Sequence, residues 1–186
     1  MSARTLAWVA AVVTGLATLY IVGALFGMRD VVGAEYGRSV MHLGELAAVV
    51  ALALCGAAGA GWLGRIGLTL AGIGQLLMAV AEPIGSAPAG TVLFGIAPNL
   101  TGLGLILAGI AVIRTGVWTG WQRWIPLVLG IYTFVPMTPM IIVSGGPPAP
   151  LALVGLLGWE ILWVLLATAV LTASTADLRR PATSPA

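Results

Sequence analysis

Six side chains of this 186-residue chain are acidic and one is a histidine, and their spacing decides what chemistry is open to it. His42 and Glu45 stand three apart, on one face of any helix that carries them. The same spacing serves bundle metal sites, where paired Glu-x-x-His motifs share an ion. A second such pair is missing and His42 is the only imidazole, so no metal is expected and the two read as a hydrogen-bonded pair. Glu160 lies within an apolar run, Pro150 to Ala173, beside Trp159 and one turn before Trp163. A carboxylate that shares a sector with indole faces suits an organic cation. The same carboxyl, neutral, is a hydrogen-bond donor between helices or a proton site. Gln75 and Glu82 are seven apart on one face, and Glu82 precedes Pro83 at a helix end that water can reach. Tyr20 and Asn99 complete the candidate set. Asn99 follows Pro98, which frees a backbone carbonyl that the amide can re-satisfy, unless it bonds across helices instead.

Other chemistries lack their residues. There is no phosphate-binding glycine loop, no nucleophile elbow, no zinc signature and no cysteine pair. No catalytic residue and no cofactor is expected, and an enzyme is the lesser expectation. Arginine supplies all the positive charge, the net charge is only +2, and no basic patch interleaved with aromatics points to nucleic acid. The single cysteine, Cys55, sits in an apolar run and reads as a small packing residue.

The elements that must position these residues follow from composition. The chain is 60% hydrophobic and 8% charged, with mean hydropathy +1.08. Soluble domains carry about 25% charged residues, so lipid is the natural solvent here. Six apolar runs, about 5–27, 40–63, 66–84, 91–113, 125–143 and 150–173, each have the ~20 residues that cross a bilayer. Continuous runs rather than short alternating ones make them helices and not barrel strands. The fold class is an all-α integral membrane bundle of six transmembrane helices over residues 1–173, with residues 174–186 as a disordered cytoplasmic tail. The first run is too long for a secretory signal core and ends without a small-residue cleavage site, so it is read as a retained helix.

Arginine placement sets the orientation. Arg4, Arg65, Arg114, Arg123, Arg179 and Arg180 share one side, against Arg29 and Arg38 on the other, which favours both termini in the cytoplasm of a cell-membrane protein. Trp8, Trp62, Trp118, Trp121 and Trp124 fall at the cytoplasmic interface, as anchoring rings do. The intramembrane polar residues lie instead in the outer half or near the midplane.

Two patterns concern the fold itself. Gly15/Thr18, Gly72/Gln75 and Gly130/Thr133 recur at spacings of 57 and 58 residues, as do Glu45, Gly102 and Glu160, which suggests three tandem helical hairpins. Pro136 and Pro139 predict a kink near Phe134–Thr138, and Gly102, Gly104, Ala108 and Gly109 predict close helix approach in the fourth span. The run RTGVW followed by WQRWIPLVLG, from Arg114 on, resembles the amphipathic cytoplasmic loop of many small bacterial membrane proteins. That resemblance covers architecture and brings no functional residues with it.

The reading is a membrane protein with a polar pocket opening outward. Its expected partners are the lipid bilayer and a small solute, proton or organic cation held by Glu160, Trp163, Trp159, Glu45, Tyr20, Asn99, His42, Gln75 and Glu82. The alternative is a non-catalytic subunit whose partner is another membrane protein.

Overall fold

A computed structural model describes residues 1–177. Among them the chain forms α1 (Ala3–Leu25), α2 (Ala34–Leu54), α3 (Trp62–Ile84), α4 (Pro88–Thr115), α5 (Ile125–Tyr132), α6 (Thr138–Ser144) and α7 (Pro150–Asp177), and no strand. A short 3-10 turn at Gln122–Trp124 leads into α5. With it, α5 and α6 make one span, Gln122–Ser144, so six helices are long and apolar enough to cross a membrane. This is a multi-pass membrane protein.

The spans pack in chain order around a closed ring. α1 lies on α2, α2 on α3, α3 on α4, α4 on α5, and α7 follows the fifth span and returns to α1. α7 also reaches across to α2, which seats Trp159 against the second helix. The ring is therefore three successive helical hairpins.

The α3–α4 seam and the α4–α5 seam are built from small residues. A Cβ on Gly104 would lie 2.4 Å from the backbone nitrogen of Ala71, and one on Gly67 2.5 Å from that of Ala108. On the other side of α4, a Cβ on Gly109 would lie 2.4 Å from the Leu127 nitrogen, and one on Gly130 2.6 Å from that of Ile106. Lipid tails are as apolar as leucine, so helices in a bilayer associate through such close packing rather than through hydrophobic burial.

Where the sequence predicts a kink, the chain forms a π-helical turn, Thr133–Met137, between α5 and α6. Pro136 and Pro139 have no N–H to continue the ladder, and the chain takes a wider turn instead. Both the backbone N–H and the hydroxyl of Thr138 donate to the Thr133 carbonyl, the hydroxyl at 2.6 Å.

Several boundaries differ from the sequence expectation. α2 starts at Ala34 rather than near residue 40, because Glu35 and Arg38 belong to its first turns and not to an aqueous loop. Gly33, at φ 85°, turns the chain into it, a conformation glycine adopts without steric cost. α2 ends at Leu54, and a glycine-containing loop separates it from α3, whose first turn holds Arg65. α4 begins at Pro88 and ends at Thr115, three residues earlier and two later than the expected limits. α7 continues through Asp177, so the first residues of the expected tail are helical, and 178–186 lie outside the described residues. Trp118 is 4% exposed and packs in the core, whereas Trp8, Trp62, Trp121 and Trp124 are exposed as interfacial rings are. Arg123 stacks on the Trp124 ring at 5.0 Å.

Candidate functional site

Burial of polar side chains follows a simple pattern. The buried polar or charged residues are Thr14, Glu45, Gln75, Thr101, Thr133 and Glu160, one from each span. Each lies within about two residues of the middle of its helix, so together they form a polar layer near mid-membrane depth. Thr14 and Thr133 are closed locally, donating to the carbonyls of Ala10 and Leu129. Gln75 Oε1, Thr101 Oγ1, Glu160 Oε2 and Trp163 Nε1 are buried without a hydrogen-bond partner.

From this layer a string of polar contacts runs to the end of the bundle that carries the α1–α2 loop. Trp159 Nε1 donates to Glu45 Oε1 at 2.7 Å, bridging α7 and α2. Glu45 Oε2 lies 2.6 Å from His42 Nδ1, one turn away on α2. The other face of the same imidazole, Nε2, is 3.6 Å from Glu82 Oε1 on α3. Glu82 Oε2 accepts from Arg38 Nε at 2.7 Å, and Arg38 Nη1 donates to Asp30 Oδ2 at 2.8 Å. Tyr20, on α1, donates its hydroxyl to the other Asp30 oxygen. Five elements thus meet: α1, the α1–α2 loop, α2, α3 and α7.

Exposure falls along the string. The Asp30 side chain is 57% exposed, Arg38 32%, His42 and Glu82 about a tenth, and Glu45 not at all. Glu160, next to Trp159 on α7, is 3% exposed. Trp159 and Trp163 meet edge to face at a centroid distance of 5.6 Å, walling the buried end. The chain of contacts holds three carboxyls, Asp30, Glu45 and Glu82, against one guanidinium and one imidazole. Charge left unbalanced at depth in a membrane is costly.

The structure brings together seven of the nine residues singled out from sequence: Tyr20, His42, Glu45, Glu82, Trp159, Glu160 and Trp163. Gln75 shares their depth, buried on α3. Asn99 does not join them. It is exposed on α4, and its amide donates to the Gly95 carbonyl at 2.6 Å, a bond within its own helix that reaches neither a neighbour nor the Phe94 carbonyl that Pro98 frees. Glu82 is not a solvated helix end, because Arg38 and His42 both approach it. Sequence reading missed Arg38 and Asp30. Arg38, His42 and Glu45 follow the i, i+4, i+7 pattern of a single helix face, which is the signal that finds Arg38.

The expected pocket is packed shut at its deep end: Glu45 is 0% exposed, Glu160 3% and Trp163 0%. Two grooves of about 380 Å³ and about 450 Å³ open elsewhere, the first between α2 and α3 and the second between α1 and α2. Among the described residues no three His, Cys, Asp or Glu side chains converge as a metal site would require. No protein-family model matches the chain, and neither a curated protein nor a solved structure is detectably similar to it.

Proposed function

We propose that this multi-pass membrane protein takes up protons from the side of the α1–α2 loop and carries them to the middle of the membrane. The observation that carries the reading is the string of polar contacts from exposed Asp30 through Arg38, Glu82 and His42 to fully buried Glu45, which ends on Trp159, the residue next to Glu160 on α7. Its residue types suit the task. Carboxyls and an imidazole exchange protons within the physiological range, and intramembrane acids mark ion and proton pathways. A proton is favoured over an organic cation because the deep carboxyls are packed among indoles, with the two open grooves lined by other residues. Glu160 is the terminal acceptor, Glu45 and His42 the relay and Glu82 the entry, which Arg38, itself paired with Asp30, holds in place without giving up a proton. The arginine distribution supports a cell-membrane location with cytoplasmic termini, which puts the entry on the outer face.

The test is proton uptake by the purified chain in weakly buffered detergent, read with a pH-sensitive dye on a step from about pH 8 to about pH 5.5. More protons bound by the parent than by Glu160→Gln, in a variant that elutes and melts like the parent, is the expected result. Equal uptake by the two defeats the reading.

A second reading is a non-catalytic subunit of a membrane complex. It draws on Phe26, Val31 and Val32, which stand 89%, 75% and 106% exposed at the loop end of the bundle. A partner that co-purifies in stoichiometric amount and is lost with Phe26→Ser and Val32→Ser would favour it.

A further inference from the structure

The groove between α1 and α2 has a graded chemistry. Its walls are Val13, Leu16 and Ala17 on α1 with Val40 and Met41 on α2, and its upper end is Tyr20 and Arg38. The wall residues of α1 follow helical spacing over seven residues, so the groove runs about 10 Å along the helix. Its floor is a pinch: a Cβ on Gly44 would lie 2.4 Å from Val13 Cγ1, so the helices touch near mid-membrane and splay toward the loop. Gly37 opens the widest part, with nothing within 4 Å of where its Cβ would be. Leu16 and Val40, at 61% and 53% exposure, face outward, so the groove is open to lipid.

The polar rim carries both signs of charge. Arg38 uses Nε and Nη1 on Glu82 and Asp30, while its other terminal nitrogen, Nη2, carries two further N–H donors. Asp30, which Tyr20 and Arg38 hold at that rim, remains more than half exposed. A head group that fits must offer an anion to the guanidinium and an N–H-bearing cation to the carboxylate. A purely anionic head meets one arginine and two carboxylates, and a quaternary ammonium has no N–H to donate. An acyl chain along the apolar walls would place such a head at the rim.

The geometry points to a binding site for an aminophospholipid, with an acyl chain between α1 and α2, its phosphate on Arg38 and its primary ammonium on Asp30. The lipid belongs to the leaflet on the α1–α2 loop side. The site stands independently of proton uptake, since it uses the α1 face of the string and not its buried end. It nevertheless touches the entry: a phosphate on Arg38 competes with Asp30 and Glu82 for the guanidinium.

The test is native mass spectrometry of the full chain in detergent, titrated with palmitoyl-oleoyl phosphatidylethanolamine, phosphatidylcholine or phosphatidylglycerol. The ethanolamine lipid should bind about tenfold more tightly than either, the weight of one charge-assisted hydrogen bond. Asp30→Asn should erase that preference while chain binding persists. Gly37→Leu, and separately Leu16→Trp, should weaken all three lipids by filling the groove, so a variant that fails to fold does not decide the matter. Equal affinity for the three lipids overturns the head-group assignment, and unchanged binding in both groove variants overturns the site. Soluble phosphoethanolamine binding as tightly as the lipid would mean a free zwitterion is the ligand. Gly37→Leu turning a dimer into a monomer would mean that a second copy occupies the groove. Either result overturns the lipid.

Discussion

The α3–α4 seam and the cluster at the α1–α2 loop hold helices together by opposite means. At the seam, Gly67, Gly74 and Gly104 let two backbones approach until a single added carbon collides with a peptide group. No charge is involved, and the attraction is the sum of many small dispersion contacts. At the cluster, Arg38 clasps a loop carboxylate and an α3 carboxylate, and His42 stands between two glutamates. There the helices are tied by groups whose charge responds to pH. One end of the molecule is set by shape and the other by charge, so only the second can report on its surroundings without losing the fold.

The largest expected effect breaks the shape side. Gly104→Val forces α3 and α4 apart and should cost about 3 kcal/mol, the upper range for overpacking, seen as a large drop in melting temperature in detergent. Gly15→Val, whose Cβ meets nothing within 4 Å, should change stability by less than about 0.5 kcal/mol. If both variants melt like the parent, close approach does not stabilise the seam.

The next effect breaks the charge side. Arg38→Met strands Asp30 and Glu82 and should cost about 2 kcal/mol, reduced from the fully buried case because the arginine is about a third exposed. Adding Glu82→Gln to it should recover part of that loss, since the stranded charge is gone; a double variant weaker than the sum of the two singles would contradict the pairing. The smallest effect sharpens the boundary of the site: Asn99→Leu should shift stability by less than about 0.5 kcal/mol and leave proton uptake unchanged, because its bond is local.

Much of this was legible in the sequence for physical reasons. Length and hydropathy count the spans because a bilayer demands about 20 apolar residues of each. Intramembrane acids stand out because few are tolerated, so Glu45 and Glu160 announce themselves. The prolines at 136 and 139 locate the irregular turn because a missing N–H must be accommodated somewhere. What stayed hidden depends on which way a helix faces. Asn99 and Gln75 look alike in an apolar run, yet one is exposed and the other buried, a matter of rotation set by neighbours. Glu35 and Arg38 read as loop because charge usually means water, and only the partner on α3 explains why Arg38 lies in a helix. Trp118 reads as an anchoring ring, and its burial follows from the path of the loop after α4. Thr14 and Thr101 carry too little polarity to stand out at all.

The polar layer has a consequence for how the chain is made. Spans enter the membrane from the insertion machinery largely one at a time, and each must be apolar enough on its own. An acid at a helix centre costs about 3 kcal/mol on that scale, offset by about seven leucine-like residues at roughly 0.4 kcal/mol each. A single span could not carry Glu45, Gln75 and Glu160 together and still insert. Spread one per helix, the same residues leave every span apolar enough to insert unaided, and the polar layer comes into being only when the six helices close the ring.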